Sequence, residues 1–418
     1  MCCASTHARA TTSSESRSRV DRTPIARLGA LAHGTPAHVS GRIVAADDGT
    51  SWVQDRSGIV PVSAERSPPA GSWVLCEGTW DGTRITDARL TAVGAQAQGF
   101  PRPDGEWARL QTAGVARLLC RRADIVREIR RFFESRGSVE VETPSMVPSP
   151  GLELHLEAFE VIGADAPRWL ITSPEYQMKR LLAGGMERIH QICRSFRRDE
   201  RGALHEPEFT MLEWYQTFAG SDEIMRDTEE LVAHVARTVT GGTRIPGRGR
   251  PVDVAPPWPR VSVAEAFERH AGVAAEDLLH DERAFFQVLV DRVEPQLGVD
   301  QPVFLTEWPA QMASLSRLLP DRPDVADRME AYVDGVELCN GFGELVDAVE
   351  QRQRLLVDQR KRQNAGKPVY PIDERFLDAL TEGLPPCGGN ALGVDRLAML
   401  ILGVTDIADL TAIPSSRA

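Results

Sequence analysis

The sequence predicts an α+β chain in which a small all-β barrel precedes a larger domain of helices and strands. Two observations support this prediction. Residues 36–97 form five short runs of alternating apolar and polar side chains, separated by Gly, Asp and Pro, a pattern typical of a small Greek-key barrel. From about residue 117 the apolar side chains recur at helical spacing. A chain of 418 residues has room for two or three domains.

The N-terminal stretch 1–35 is rich in Ser, Thr, Ala and Arg and contains few apolar side chains. We expect it to be a disordered tail, because such a composition cannot bury enough apolar surface. An Arg-rich, acid-poor leader is also typical of organelle transit peptides, and the sequence leaves that alternative open. Cys2 and Cys3 follow no apolar stretch, which argues against a secretory or lipoprotein signal.

The barrel occupies residues 36–97, and a linker over 98–116 separates it from the larger domain, 117–418. The predicted barrel strands are 38–44, 51–55, 58–62, 72–78 and 84–86. Trp52, Trp73 and Trp80 are few for a surface that stacks bases, so binding of single-stranded RNA is only weakly indicated. The linker contains the run Pro101-Arg102-Pro103-Asp104-Gly105.

The larger domain opens with a predicted amphipathic helix. Leu118, Ile125, Ile129 and Phe132 recur at three- and four-residue spacing, and Gly137 is placed to end the helix. A second amphipathic helix is predicted over 221–239. Residues 241–260 are rich in Gly, Pro and Arg and predict a long loop inside this domain.

Composition excludes several classes of function. The net charge of −12 argues against broad electrostatic capture of nucleic acid, although a local basic groove remains compatible with it. No apolar run is long enough to span a bilayer, so we expect no membrane insertion. The seven cysteines form no CxxC pair, which disfavours a disulfide framework or a structural zinc site and favours a cytoplasmic location.

Three separated stretches have the residue types of an active site. In the first, residues 139–144, a strand follows the first helix and ends at Pro144. The second, residues 193–215, reads as strand, charged loop and strand. In its second strand Phe209, Met211, Glu213 and Tyr215 share one face, because side chains alternate with a period of two. That face suits a pocket floor that stacks a planar ring and holds an ammonium group; a solvent-facing strand with ion pairs is the alternative.

The third stretch, residues 388–397, is a glycine-rich run that leads into an apolar helix. Glycines permit close approach of the backbone to a ligand. Arg396, at the start of the helix, is placed to clamp a phosphate. Taken alone, a glycine-rich turn before a helix has little specificity.

In this order the three stretches resemble motifs 1, 2 and 3 of the class II aminoacyl-tRNA synthetases. Residues 172–180, 208–215 and 335–344 are similar to the lysyl branch, and more closely to the ligases that attach (R)-β-lysine to elongation factor P, a truncated lysyl-tRNA synthetase paralogue family. The resemblance runs from about residue 117 to the C-terminus. It implies an antiparallel sheet flanked by helices, and the barrel resembles the OB-fold modules that precede some synthetase domains.

The resemblance implies activation of an amino acid by ATP and Mg²⁺. Arg197 would bridge the substrate carboxylate and the α-phosphate, and Arg396 would hold the γ-phosphate. Glu330 and Glu337 would coordinate Mg²⁺, which prefers carboxylate oxygen. The implied ATP-binding residues are Arg197, Arg198, Asp199, His205, Glu206, Phe209, Glu337, Leu338, Gly393 and Arg396. Phe209 would stack on adenine.

The implied substrate has two amines, so its pocket should be acidic. By the resemblance, Glu175 and Glu213 would meet the amine near the carboxylate, and Tyr215 and Glu344 would bind the ε-ammonium. The implied substrate-binding residues are Ser173, Pro174, Glu175, Glu213, Tyr215, Asn340, Phe342, Glu344 and Ala391. A buried carboxylate rejects neutral analogues, because they would leave it unpaired.

Two positions depart from the family pattern. Asp199 stands where the family usually has Glu, and its shorter side chain reaches less far toward adenine. Glu206 stands where the family has Asn next to the histidine. A carboxylate at that position repels phosphate unless it turns away or joins the metal.

Three functions follow as alternatives. The first is a ligase that transfers lysine or β-lysine to a lysine of elongation factor P. Two features favour it: the barrel is small and not basic, and Ala391 stands where lysyl-tRNA synthetases usually have Gly. The second is a lysyl-tRNA synthetase that charges tRNA. The third is an inactive regulator that binds a lysine-like ligand. We also expect a homodimer, because the helix–strand–Pro stretch builds the dimer interface in relatives.

Overall fold

The computed structural model describes residues 22–47, 49–94 and 98–418, and the chain divides into two compact units between Ala113 and Gly114. The division falls slightly before the predicted start of the larger domain at residue 117. None of the described helices combines the length and the apolar character that crossing a bilayer requires.

Five strands of the first unit close into a barrel. They are β1 (Thr35–Asp47), β2 (Thr50–Gln54), β3 (Ile59–Ser63), β4 (Trp73–Trp80) and β5 (Ile85–Val93). Their order is β1-β2-β3-β5-β4, and β4 pairs with β1 to close the ring. A bulge between Ile43 and Ala45 bends β1, so that the one long strand pairs with both β4 and β2. The OB-like barrel predicted from the alternating runs is confirmed.

The prediction of a disordered tail through residue 35 is wrong for part of that stretch. Ile25–Ala30 forms a 3-10 helix whose Ile25 and Leu28 are buried in the barrel core. The backbone N–H of Ile25 donates to the Asp55 carboxylate over 2.9 Å. The composition averaged over the whole leader conceals this short apolar segment. Residues 1–21 of that stretch lie outside the described residues.

The predicted linker is partly structured. A π-helical turn spans Ala108–Thr112. The guanidinium of Arg42 on β1 lies over the rings of Phe100 and Trp107, with its carbon 4.1 and 5.1 Å from their centroids. These cation–π contacts attach the start of the linker to the barrel.

The second unit contains a nine-stranded sheet with helices packed on it. Its helices are α1 (Val115–Ser135), α2 (Glu175–Ala183), α3 (Ser221–Thr240), α4 (Val263–Ala271), α5 (Glu282–Val288), α6 (Ala348–Asn364), α7 (Glu374–Gly383) and α8 (Val394–Leu402). The strands are β6 (Val139–Glu140), β7 (Met146–Val147), β8 (Trp169–Leu170), β9 (Arg188–Phe196), β10 (Glu208–Thr217), β11 (Arg244–Ile245), β12 (Val252–Asp253), β13 (Arg260–Ser262), β14 (Val303–Pro309), β15 (Leu318–Leu319), β16 (Arg322–Val333), β17 (Val336–Gly343) and β18 (Cys387–Gly393).

The sheet has the order β13-β14-β16-β17-β18-β10-β9-β6, with β15 added on β16. Its central pairings are antiparallel, and only β13–β14 and β6–β9, among the described pairs of this sheet, are parallel. The α+β class and the antiparallel sheet flanked by helices are therefore confirmed. The predicted loop at 241–260 instead contains the β11–β12 hairpin, whose Ile245 and Val252 are buried, because the apolar residues among the Gly and Pro reach the main core.

One face of the sheet packs on the main hydrophobic core. Leu212 and Trp214 of β10 are buried there against α1 and α3, together with the nearly continuous apolar run of α8. Because successive strand residues point to opposite faces, Met211, Glu213 and Tyr215 must lie on the other face of β10. The predicted alternation of side chains along β10 therefore determines which of them face away from the main core and toward the site.

Candidate active site

A cavity of about 430 Å³ lies on the sheet face opposite the main core. Its floor follows one row of paired residues across four neighbouring strands. Glu330 of β16 pairs with Asn340 of β17, Asn340 pairs with Ala391 of β18, and Ala391 pairs with Glu213 of β10. All four side chains line the cavity. The register of the antiparallel sheet therefore brings together residues that are distant in sequence.

Most of the residues predicted to bind ATP or substrate line this cavity. They are Ser173, Glu175, Arg197, His205, Glu206, Phe209, Glu213, Glu330, Glu337, Leu338, Asn340, Phe342, Ala391, Gly393 and Arg396. Phe209 and Met211 continue the face of β10 that carries Glu213. The guanidinium carbon of Arg197, just beyond the end of β9, lies 5.2 Å from the Phe209 ring centroid. A planar group could thus lie beside the Phe209 ring, close to the Arg197 guanidinium.

Arg197 and Arg396 both act on the same carboxylate, Glu337. Arg396 donates from Nη1 to the Glu337 carbonyl over 2.9 Å and to its Oε2 over 3.2 Å. Burial alone would raise the pKa of Glu337, but Arg396 and then Arg197 outweigh it and hold that pKa below its usual value. Two guanidinium groups therefore converge beside the cavity, as an anionic triphosphate requires.

His205 completes this cationic corner as a neutral ring. Arg396 Nη2 lies 2.6 Å from His205 Nε2, so the ring nitrogen accepts the hydrogen bond. Burial, and next the charge of Arg396, lower the pKa of His205. The ring is consequently uncharged at neutral pH and orients Arg396 without adding charge.

Sequence reasoning missed the contacts that fix the start of α8. Asp395 accepts from Arg122 Nε over 2.8 Å and from the backbone N–H of Thr210 over 2.8 Å. These bonds tie α8 to α1 and to β10, next to Arg396. An Asp beside the predicted phosphate clamp was the available signal, because a buried carboxylate requires donors.

The acidic side of the cavity contains an internal ammonium group. Lys179 is fully buried on α2, and its Nζ lies 2.6 Å from an oxygen of Glu175 and 2.6 Å from an oxygen of Glu344. The contact with Glu175 is a well-formed hydrogen bond, whereas the contact with Glu344 is an ion pair without good alignment. Burial lowers the pKa of Lys179, but the two carboxylates more than reverse that effect. Lys179 is thus charged and already pairs two of the predicted substrate ligands.

The negative charge of Glu213 has weaker compensation than the charges of Glu175 and Glu344, which pair with Lys179. Tyr215 donates its hydroxyl to Glu213 Oε2 over 3.0 Å, while Oε1 makes no well-aligned hydrogen bond. Burial, and then the neighbouring Glu175, raise the pKa of Glu213 to about 8, against smaller lowering effects of Tyr215 and Ser173. An unpaired buried carboxylate of this kind is poised for a cationic ligand.

Five of the predicted residues do not line the cavity. They are Pro174, Arg198, Asp199, Tyr215 and Glu344. Pro174 is the N-cap residue of α2, and Arg198 and Asp199 pair with each other over 3.3 Å in an exposed loop. Tyr215 and Glu344 are buried behind the wall, where Tyr215 bonds Glu213 and Glu344 pairs with Lys179. The sequence pattern did not indicate which side chains of these segments turn toward the cavity.

The glycines of the third stretch serve packing more than ligand approach. A Cβ at Gly389 would lie 2.2 Å from the Tyr215 ring and 2.5 Å from Glu344 Oε1, and one at Gly388 would lie 2.7 Å from Ile224. Only Gly393 fits the prediction of open space, because its Cβ would meet nothing nearer than the Arg396 side chain at 3.4 Å.

Two carboxylates fit the predicted Mg²⁺ site. Glu330 and Glu337 line the same cavity, and the charge of Glu337 raises the pKa of Glu330. Burial, first of all, brings the pKa of Glu330 to about 7 even though Arg328 and Tyr332 both donate to it over 2.7 Å. Among the described residues no group of three or more His, Cys, Asp or Glu side chains is arranged around a metal. This donor set suits Mg²⁺, which takes one or two carboxylates and completes its shell with phosphate and water.

Glu206, the second departure from the family pattern, is turned partly toward the C-terminus. Its Oε2 accepts the backbone N–H of Ser415 over 3.2 Å, although the side chain still borders the cavity. That contact draws negative charge away from the cationic corner formed by Arg197 and Arg396.

Comparison with known proteins agrees with this geometry. The family model of the class II tRNA synthetases (D, K and N) matches residues 102–417. The chain therefore belongs to the class II tRNA synthetase family. Within the match lies the whole cavity, whereas the barrel strands precede it.

The chain is similar to a particular branch of that family. It is 40% identical over 334 aligned residues to the "Elongation factor P--(R)-beta-lysine ligase" of Salmonella paratyphi B, and the match covers 73% of this chain and 97% of that relative. Proteins of the same name from Salmonella heidelberg and Salmonella schwarzengrund match with the same values. The resemblance stated from the motifs is thus confirmed.

Proposed function

We propose that the chain activates lysine or (R)-β-lysine with ATP as an aminoacyl-adenylate and transfers it to a lysine side chain of elongation factor P. The observation that carries the proposal is one cavity in which two converging arginines, Arg197 and Arg396, face buried carboxylates that lack a full complement of cations. The printed name of the relatives supports the substrate and the acceptor.

The first step joins two anions, so charge neutralisation is the main requirement. A carboxylate oxygen of the amino acid attacks the α-phosphorus of ATP, the bond from that phosphorus to the oxygen bridging to the β-phosphate breaks, and pyrophosphate leaves. Arg197, beside Phe209, is placed to bridge the carboxylate and the α-phosphate while the adenine stacks on the ring. Arg396, oriented by neutral His205, holds the far end of the triphosphate.

Mg²⁺ would supply further neutralisation of the phosphates and would be held by Glu330 and Glu337, whose carboxylates suit this ion. In the absence of a cation these two groups repel each other, and Arg328 and Arg396 offset the repulsion. The protein's contribution is a fixed pair of oxygens next to the cationic corner.

The second step transfers the activated acyl group. The uncharged ε-amine of the acceptor lysine attacks the carbonyl carbon, the bond from that carbon to the phosphate oxygen breaks, and AMP leaves. The new amide nitrogen then loses a proton to solvent or to a nearby base. The preformed charge of the cavity positions the acyl group and requires no covalent enzyme intermediate.

An acceptor assay tests this proposal. The purified chain is incubated with ATP, Mg²⁺ and labelled (R)-β-lysine or lysine, together with elongation factor P or tRNA. Label on elongation factor P supports the proposal, label on tRNA favours the synthetase alternative, and the absence of adenylate formation with both amino acids favours an inactive regulator.

Two nearby arginines provide a matched pair of variants for this assay. Arg197→Met removes the guanidinium beside Phe209, and we expect adenylate formation to fall by about 10³-fold, because a charge-stabilising donor is lost. Arg201→Met changes an exposed arginine that lies outside the cavity wall and outside the implied ATP-binding residues, so it should retain adenylate formation within about threefold. Equal losses in both variants would contradict the placement of Arg197.

Charging of tRNA is kept as the second candidate because of the OB-like barrel. Trp52 and Trp73 expose 39% and 49% of their surface, which leaves aromatic faces open to bases.

Homodimer formation is a further part of the proposal: β6 is an edge strand of the large sheet, and its Val139 is about half exposed. Light scattering of the purified chain tests it. A cytoplasmic location stays a prediction.

A further inference from the structure

The hydroxyl of Tyr332 lies between two carboxyl groups, and only one of them lines the cavity. Tyr332 belongs to β16 and is fully buried. Its Oη lies 2.7 Å from Glu330 Oε2 and 3.1 Å from Glu294 Oε1. Glu330 is among the cavity-lining residues, whereas Tyr332 and Glu294 are not. The motif set gives neither of these two residues a role, and the proposed function has assigned none to them.

The protein holds both oxygens of the Glu330 carboxylate. Arg328 donates from Nη2 to Oε1 over 2.7 Å, and Tyr332 donates to Oε2. Arg328 is itself fixed, because its Nη1 donates to the Met312 carbonyl over 2.8 Å and its guanidinium carbon lies 4.1 Å from the Trp308 ring centroid. Each carboxylate oxygen has two lone pairs, so each keeps one for a metal ion. Two donors therefore set the orientation of this ligand.

The segment that contains Glu294 fixes the backbone of Tyr332 from behind. The backbone N–H of Asp334, in the turn after β16, donates to the Gly298 carbonyl over 2.8 Å. Gly298 has a positive φ of 68°, and a Cβ on it would lie 2.3 Å from the Tyr332 carbonyl oxygen. Only glycine permits this approach. The close packing leaves the Tyr332 side chain one position, with its hydroxyl at Glu330.

The two distances decide which carboxyl group the hydroxyl serves. A phenol has a single hydroxyl proton, so Tyr332 donates to one of the two groups at a time. The contact with Glu330 is shorter by 0.4 Å than the contact with Glu294, which assigns the proton to Glu330. Glu294 is then a competing acceptor on the side away from the cavity.

We propose that Tyr332 is a positioning residue of the Mg²⁺ site, whose hydroxyl holds Glu330 in the orientation that binds the ion. The inference rests on the proposed function and adds to it a residue outside the cavity lining. A ligating carboxylate requires such support, because it otherwise rotates about its last bond. Loss of one supporting hydrogen bond weakens metal binding about 10–100-fold in metal sites generally.

The test compares Tyr332→Phe, which removes only the hydroxyl, with the wild type. Pyrophosphate exchange is measured against free Mg²⁺ at saturating ATP and lysine or (R)-β-lysine. A second readout requires no turnover: Mn²⁺, which also favours carboxylate oxygen, is titrated into the protein with α,β-methylene-ATP and followed by electron paramagnetic resonance. Tyr370→Phe is the matched control. Its hydroxyl is also buried, accepts the Ala158 N–H over 2.9 Å and lies outside the cavity lining.

For Tyr332→Phe we expect the Mg²⁺ concentration at half-maximal exchange and the Mn²⁺ dissociation constant to rise about 10–100-fold. At saturating Mg²⁺, kcat should return to within about threefold of the wild type, and KM for the diamino acid should stay within about twofold, because both carboxylates remain. Tyr370→Phe should leave the two metal constants within about twofold. Glu294→Met removes the competing acceptor and should leave them within about threefold.

Several results would overturn the inference. Metal constants of Tyr332→Phe within about twofold of the wild type would do so, as would a loss of kcat that saturating Mg²⁺ does not restore, or an equal rise in Tyr370→Phe. Metal binding that is markedly tighter in Glu294→Met would show that the hydroxyl serves Glu294 instead. That variant decides the question if Tyr332→Phe does not fold by circular dichroism. Failure of the proposed function is distinguishable, because the wild type would then exchange with neither diamino acid, whereas the Mn²⁺ titration would still test Tyr332.

Discussion

Replacing Lys179 by methionine removes the ammonium that lies between Glu175 and Glu344, and the structure indicates how much stability this costs. Lys179 is fully buried and lies 2.6 Å from an oxygen of each carboxylate. Removing one partner of a buried ion pair costs about 3–5 kcal/mol, because a charge is left without compensation. Methionine retains most of the apolar volume, so a large cavity term does not add to this figure.

Protonation limits the loss in Lys179→Met. The pKa of Glu344 already stands at about 8, raised by burial and held down by Lys179. Without Lys179 it rises further, so Glu344 takes up a proton near neutral pH instead of remaining charged. We therefore expect a loss of about 3 kcal/mol near neutral pH, toward the low end of the range for a broken buried pair, and a greater loss at higher pH.

Urea unfolding followed by tryptophan fluorescence measures this loss. With a slope of about 3 kcal/mol per molar urea, the midpoint of the second unit should fall by about 1 M. Lys367→Met is the matched control: Lys367 is one-third exposed, and its partner Glu157 keeps contacts with Arg198 and Arg362, so we expect a loss below about 1 kcal/mol. A midpoint for Lys179→Met within about 0.3 M of the wild type would refute the view that this ammonium compensates the acidic wall.

Three further predictions address the pocket and the barrel. Glu213 has a folded-state pKa of about 8, above its unfolded value, so the fold loses stability as pH rises and this carboxyl group ionises. Glu213→Gln should therefore be more stable than the wild type near pH 8 and should lose that advantage near pH 5. Urea titrations at the two pH values measure the difference. Gly389→Ala should cost about 1–3 kcal/mol through the clash with Tyr215, whereas Gly393→Ala should cost under about 1 kcal/mol yet raise KM for ATP, as thermal melts and kinetics would show. Leu28→Ala should destabilise the barrel by about 2–5 kcal/mol, a loss measurable by its unfolding transition, and no change would contradict the revised N-terminal boundary.

Periodicity and motif order predicted much of the large domain. The period of two on β10 placed Glu213 on the cavity side and left Trp214 for the core, as the structure has them. The apolar spacing that begins at Leu118 predicted α1. These features are local, and a single segment of sequence contains all the information that decides them.

The errors of the sequence interpretation have a different origin. Lys179 lies in residues 172–180, one of the stretches similar to the lysyl branch. Its pairing with Glu344 could not be read from that stretch, because α2 and the end of β17 meet only in the folded chain. Glu153 belongs to no motif, yet the fold places it in the cavity wall, where its carbonyl accepts from the buried Arg362. The apolar residues of Ile25–Ala30 were lost in an average over the whole leader.

The most direct test of the account is pyrophosphate exchange by the purified chain in the presence of ATP and Mg²⁺, with (R)-β-lysine, lysine and norleucine compared at equal concentration. The geometry predicts exchange with a diamino acid and at least about 10²-fold discrimination against norleucine. Exchange that is absent with both diamino acids, or equally fast with norleucine, would contradict the claim that this cavity activates a diamine.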